Sequence, residues 1–297
     1  MIDFVCNLCG RPNRRPEKTL DREKPSCDVC GSNVRTRGLL QALSMELFGV
    51  NLPVPDFPRI KSLRGLGTSD SPRYAELLSQ KFDYRNTFYD REPRFDLAYP
   101  PTADAGQYDF LVSSDVLEHV APPAENAFQN VATALKPTGL LVFTVPYSLD
   151  PAAVERFPDL YEFGLAQVGG RSVLVNRART GELRATDDLV FHMGVTGPSL
   201  EMREYTESGL KTLLAGAGFT TVRIYGEDYP PFGIVRSESW SLPMAARKSA
   251  PGLNGEATRD VLEQWREQME LMKRLRGSFW FRVGMKLGLF GIGKPRT

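Results

Sequence analysis

The chain has 297 residues, 41% of them hydrophobic and 25% charged, with a formal net charge of +1. That length holds one large domain with appendages or two modest domains, and the near-neutral balance excludes a surface built mainly to coat nucleic acid. Charge is uneven, at +3 over residues 1–37, −6 over the middle and +4 over residues 256–297. The opening MIDFVCNLCG lacks the basic-then-apolar pattern of an export signal. No apolar run reaches the roughly 18 residues of a membrane span, so a cytoplasmic protein is expected.

All four cysteines lie near the start, as Cys6-x2-Cys9 and Cys27-x2-Cys30, each pair followed by a glycine, Gly10 or Gly31. Four thiolates at this spacing predict a tetrahedral zinc site in a ribbon over residues 1–35. Two thiolates on one tight turn chelate one edge of the ion, and the glycine lets the backbone close around it. So short a segment has too little core to fold without the metal. Two disulfides are the alternative, which a reducing compartment disfavours. Zinc ribbons grip RNA or protein or brace a neighbouring domain; a structural or substrate-docking role is expected here.

A helix is predicted over 36–49 (TRGLLQALSMELFG), then a proline-punctuated linker, VNLPVPDFP. Strand and helix patterns follow in alternation: RIKSL, the helix SPRYAELLSQKF with Pro72 in its first turn, RNTFYD, YDFLVSSD (108–115), the helix PAENAFQNVATAL closed by a KPTG turn, and LLVFTVPY (140–147). Such alternation predicts a parallel sheet covered on both faces. Residues 148–205 read as an insertion containing a Gly-Gly hairpin, LYEFGLAQVGGRSVLVNRA. The helix 206–219 follows, with Thr206 or Ser208 near its cap and Gly218 near its end. TTVRIYG and WSLPMAARK read as closing strands. Past the linker GLNGEA, Val261, Trp265, Met269, Met272 and Leu275 share one stripe of an amphipathic helix. The last apolar stretch, 278–294, is expected to pack on the body or on a second copy, or to lie in a membrane interface. Domain borders are expected at 1–35, 36–250 and 251–297.

RGLGTSDS (64–71) sets the chemical question. Gly65 and Gly67 are placed at the first strand-to-helix turn, where bare backbone admits a ligand. A dinucleotide fingerprint would want a small residue at 70, where Asp70 stands, and no GK[ST] follows for a P-loop. Asp90 ends the next strand pattern, as a carboxylate for two ribose hydroxyls or as a solvated loop residue. SSDVLEHV (113–120) and ALKPTGLLVFTVPY (134–147) complete the set.

Together these segments resemble the class I S-adenosylmethionine-dependent methyltransferases. The resemblance implies an α/β, Rossmann-like sheet of seven strands, the last antiparallel, with helices on both faces. It places Gly65 and Gly67 against the cofactor's amino-acid part, Asp90 on its ribose, and Ser114 and Asp115 beside it at the fourth strand's tip. Leu63 stands where the family often has an acidic residue, so Asp70 or Asp115 is expected to take the amino group instead. The cysteines, the LFGVNLPVPDFP linker and the segment LVFHMG…SLEMREYTE also resemble zinc-ribbon methyltransferases that accompany bacterial glycan or surface-polysaccharide biosynthesis.

A hydroxyl acceptor needs a base near neutrality, and the chain has two histidines. His119, in DVLEHV, is the better placed; packing in that turn is its other reading. His192 lies in the insertion, as base, acceptor ligand or structural residue. Tyr161, Phe163, Arg171, Glu201 and Arg203 of the insertion, and Tyr147 before it, suit a sugar or an ordinary lid. The expected reaction is methyl transfer to a hydroxyl of a sugar, glycan or other small acceptor. A zinc-ribbon RNA base methyltransferase and a non-catalytic adaptor with a degenerate cofactor fold are the alternatives. Strong nucleic-acid binding is not expected; self-association and peripheral membrane contact through the tail are open.

Overall fold

A computed structural model describes residues 1–194, 197–250 and 255–277. The chain opens with an antiparallel hairpin, β1 (Ile2–Val5) and β2 (Pro12–Arg15), and then α1 (Val34–Phe48). The first half of the sheet follows as β3 (Ile60–Thr68), α2 (Pro72–Lys81), β4 (Phe82–Thr87), β5 (Tyr108–Ser114), α3 (Ala124–Ala134) and β6 (Leu135–Thr144). The insertion holds β7 (Tyr147–Ser148), β8 (Val154–Glu155), β9 (Glu162–Val168), β10 (Arg171–Arg177), β11 (Leu183–Thr186), β12 (Phe191–Gly194), β13 (Gly197–Leu200) and β14 (Arg203–Thr206). Last come α4 (Glu207–Gly216), β15 (Thr221–Ile224), β16 (Met244–Arg247) and α5 (Gly255–Gly277).

The main sheet runs in the order β15-β16-β6-β5-β3-β4. β4, β3, β5 and β6 are mutually parallel, and β16 is antiparallel to both β6 and β15. The antiparallel closing strand matches expectation; the count does not. Among the described residues the sheet has six strands, not seven. Residues 88–107, beyond the edge strand β4, add no strand, only an isolated bridge between Phe88 and Arg94 and a 3-10 turn at Thr102–Asp104. Pro93, Pro100 and Pro101 remove ladder donors there, which suits turns rather than another strand. KPTG sits inside β6 as a looped-out irregularity between Leu135, which pairs with Tyr108, and Leu140, which pairs with Phe110.

Helices cover both faces. One core joins α1, α2 and the ribbon to the sheet through Leu39, Leu43, Tyr74, Leu78, Phe82 and Phe110. The other joins α3 and α4 to it through Phe128, Val131, Leu141, Phe143 and Leu210. Local chemistry sets the helix ends. Asn33 caps α1 by accepting from the Thr36 amide, and Gly49 closes it in the left-handed region. Pro72 starts α2, and Thr206 caps α4 through the Gly209 amide. α1 is buried on more than one side. Leu39, Leu40, Ala42, Leu43 and Ser44 are wholly buried, because the ribbon covers a side that a surface helix would give to water.

The ribbon shares that core through Phe4, Leu8 and Leu20. Arg37 of α1, fully buried, ties it down by donating to Ser32 O, Ser26 Oγ and Gly233 O, and lies 4.9 Å over the Phe4 ring. At the other end α5 lies against β3, with Ser62 donating to Asp260 at 2.5 Å and the Arg59 amide to Gln264 at 2.6 Å. Val261 packs on the body while Trp265 is exposed, so only part of the expected stripe faces inward. The side chains of Met269, Met272 and Leu275, and all of 278–294, lie outside the described residues.

Candidate functional site

Chain order reverses between β3 and β5: β3 leads through α2 to β4 on one side, and the chain then crosses to β5 on the other. Ligand crevices form at the carboxyl ends of strands at such a switch point. Among the described residues, three non-glycine residues have positive φ, Ser69 (56°), Asp115 (51°) and Ser241 (54°). Ser69 follows β3, Asp115 follows β5, and Ser241 clamps Tyr147 just past β6. Each such residue costs roughly 1–3 kcal/mol and persists where surrounding structure demands it, most often at functional sites. All three gather at this end of the sheet.

The two glycines have a different job from the one expected. Both lie inside β3, not in the turn after it. Gly65 is in register with Tyr84 on β4 and Phe110 on β5, whose rings stack across it at 5.9 Å and 17°. A Cβ on Gly65 would strike both rings, and one on Gly67 would strike the Asp70 carboxylate and the Tyr84 hydroxyl. Neighbouring side chains therefore fill the bare backbone at both positions.

Asp70 is buried at 1% exposure. Tyr74 donates to its Oδ1 at 2.5 Å and Tyr84 to its Oδ2. Asn86 latches the same residue by accepting from its amide and donating to its carbonyl, both at 2.9 Å. Burial raises the carboxyl to about 7 against the pull of the two phenols. The expected partner for a cofactor's amino group is thus committed to the protein interior. Asp90 does not end β4, which stops at Thr87; it lies exposed in the bends beyond it.

Ser114 and Asp115 are at the expected strand tip, with partners the sequence reading missed. Arg22 donates to both oxygens of Asp115 at 3.1 Å, and Arg35 approaches Oδ2 at 3.2 Å. Arg35 also donates to Ser114 Oγ at 2.6 Å and pairs with Glu23 at 2.9 Å. Burial would raise the Asp115 carboxyl, but Arg35 and Arg22 outweigh it and hold it below its usual range. Arg22 lies in the ribbon between the two cysteine pairs, and Arg35 in the first turn of α1. The net positive charge of residues 1–37 was the available signal, but composition does not say which face a guanidinium reaches.

Beyond Asp115 the chain turns through Glu118 and His119. His119 Nδ1 is 2.8 Å from Leu200 O, which can only accept, so Nδ1 carries the proton and Nε2 keeps its lone pair. Burial holds this imidazole below its usual pKa. The rings of His119 and His192 meet edge to face at 5.6 Å, and His192 Nε2 lies 2.9 Å from Glu201. The two candidate histidines, 73 positions apart, are therefore neighbours. The insertion covers this turn: the Met202 amide donates to Glu118 O, and Arg203 donates to Leu117 O and Val120 O while paired with Glu155. Arg171, Tyr161 and Phe163 face outward on the β9–β10 hairpin, and Tyr147 is buried.

At the ribbon, Cys6 Sγ lies 3.6 Å from Cys30 Sγ and Cys9 Sγ 3.7 Å from Cys27 Sγ. The thiols are free, and all four sulfurs lie within 4.8 Å of one another. Gly10 and Gly31, at φ 71° and 66°, donate back to Cys6 O and Cys27 O and close the two knuckles.

A family model described as a methyltransferase domain matches residues 65–224, more than half of the chain. No curated protein matches. Among solved structures, a putative S-adenosylmethionine-dependent methyltransferase from Listeria monocytogenes is 13% identical, with 73% of this chain and 99% of that one covered, at a TM-score of 0.42. The 1,6-didemethyltoxoflavin-N1-methyltransferase of Burkholderia thailandensis is 17% identical over 63% of this chain and 71% of its own, at 0.35. CalS10, an amino pentose methyltransferase from Micromonospora echinaspora, is 15% identical over 66% and 85%, also at 0.35. The chain belongs to the methyltransferase-domain family and is an S-adenosylmethionine-dependent methyltransferase.

Proposed function

We propose that this enzyme moves a methyl group to a hydroxyl of a sugar, glycan or other small acceptor, held between the tip of β5 and the insertion. The observation that carries this reading is the state of His119: neutral, oriented by Leu200, with its free lone pair one turn beyond Asp115. A neutral imidazole there accepts a hydrogen bond from an acceptor hydroxyl and, as the new C–O bond forms, its proton. His192 flanks the same position.

S-adenosylmethionine supplies a methyl already activated on a sulfonium, so the chain's own contribution is to orient two reactants and exclude water. The residues at the switch point fit the zwitterionic end of that cofactor. Arg35 and Arg22 suit its carboxylate, Asp115 its ammonium, and Ser114 adds a hydroxyl. In this reading Asp115 takes the part that Leu63 cannot, Asp70 buttresses β3 from behind, and Gly65 and Gly67 serve packing.

The four cysteines fit zinc. Sulfurs bound at about 2.3 Å around a tetrahedral ion stand roughly 3.8 Å apart, which the 3.6 and 3.7 Å separations approach. Zinc there holds the ribbon's shape and thereby places Arg22 and Arg35.

The test is incubation with S-adenosylmethionine radiolabelled in the methyl group and matched panels of glycans, small alcohols and RNA. Label in an alkali-stable methyl ether of a glycan or alcohol supports the proposal. Label on RNA bases, or on none of the panels, overturns it.

A further inference from the structure

We infer that Glu118, His119 and His192 form a binding site for one divalent cation of borderline softness, of the zinc and cobalt kind, separate from the four-cysteine centre. One ligand atom from each lies within 4.8 Å of the others. His119 Nε2 and Glu118 Oε1 are 3.6 Å apart. Ligands bound at about 2.1 Å around a tetrahedral ion stand roughly 3.4 Å apart, so small side-chain rotations close the set.

Glu118 supplies an independent sign. It is 1% exposed, and neither carboxylate oxygen has a hydrogen-bond partner. A buried carboxyl with no donor is costly and rare. The nearby guanidinium groups make their bonds elsewhere: Arg22 and Arg35 hold Asp115, and Arg203 donates to Leu117 O and Val120 O and pairs with Glu155, so no donor reaches the Glu118 carboxylate. A cation between Glu118 and the imidazoles supplies the missing partner.

The surroundings are those of metal-bound histidines. Leu200 O takes the Nδ1 proton of His119 and fixes the tautomer that leaves Nε2 free. A carboxylate, Glu201, backs His192 at 2.9 Å and is itself anchored by Arg156. Two imidazoles and one carboxylate select zinc-like ions over magnesium or calcium, which prefer all-oxygen cages. Three protein ligands leave a coordination position open. Filling it with the acceptor's oxygen would acidify that hydroxyl by coordination rather than by a hydrogen bond to His119; this use rests on the methyl-transfer reading, whereas the site itself does not.

The experiment counts zinc in the full-length protein after dialysis against Zn2+ alone, by elemental analysis. Two ions per chain are expected in the wild type, and one in both Glu118→Gln and His192→Ala, with the thiolate-bound ion retained. His192 is partly exposed on a surface hairpin, so its variant leaves the core intact. Co2+ added to protein with only the ribbon filled should give weak visible bands without thiolate charge transfer. A wild type that stops at one ion, or variants that keep two, overturns the site. Two ions bound with a methyl-transfer rate indifferent to the second leaves the site standing and refutes its use on the acceptor.

Discussion

Gly65 has no side chain because Tyr84 and Phe110 stack where one would be. The glycine pair was legible in the sequence as a place where bulk is forbidden, but not who forbids it: a ligand and an aromatic pair leave the same mark. Asp70 shows the same limit, since a carboxylate two residues past a strand reads as exposed until Tyr74 and Tyr84 are seen closing over it. Its environment makes a prediction. Native Asp70 keeps its proton until about pH 7, whereas in the unfolded chain it ionises near 4. Between those values the native state binds more protons, so its contribution to stability falls as pH rises and levels off above 7. Urea unfolding of wild type and Asp70→Asn across pH 4–8 should show this loss, roughly 4 kcal/mol at most, in the wild type alone. A second prediction concerns His119. Because its imidazole is held below the usual pKa, the rate should climb with pH through a value under 6.5 and then stay flat. His119→Ala should cut kcat about 100-fold or more with cofactor affinity unchanged, as paired turnover and binding measurements would record.

At the scale of elements, the sequence was most readable where capping and periodicity act alone. α2, α3, α4 and the β9–β10 hairpin fall close to where Pro72, the alternating apolar pattern, Thr206 and Gly169-Gly170 put them. It was least readable where tertiary contact decides, as in the run of β3 through RGLGT and the path of residues 88–107. Two elements invite direct tests. Arg203 of β14 holds the turn carrying Glu118 and His119 while almost fully buried. Arg203→Met should leave Glu155 and the Val120 carbonyl without their donor, while Leu117 O keeps the Tyr205 hydroxyl, costing about 3 kcal/mol in thermal or denaturant unfolding. Zinc removal from the ribbon should not stay local. Phe4, Leu8 and Leu20 belong to the same core as α1, β3 and β4, so a strong chelator should lower the melting temperature of the whole enzyme by about 5 °C or more in calorimetry. Loss of ribbon signals with an unchanged main transition would contradict that coupling.

Over the whole molecule, the family was recognisable because DVLEHV followed by LKPTGLLVFTVP, downstream of the glycine pair, is specific in combination. The site was only half legible. Of the residues proposed for it, Ser114, Asp115 and His119 came from the SSDVLEHV stretch and His192 from being the chain's other histidine. Arg22, Arg35 and Glu118 were not found, since the ribbon's reach over the strand tips belongs to the fold rather than to any local pattern. In the proposed site, Arg22 of the ribbon and Arg35 of α1 meet the Asp115 carboxylate at the tip of β5. Titration calorimetry with S-adenosylhomocysteine tests this most directly. The account predicts one molecule bound per chain, with affinity reduced at least tenfold in Arg35→Ala and little changed in Asp90→Ala. No heat of binding by the zinc-loaded wild type, or equal affinity in Arg35→Ala, would contradict it.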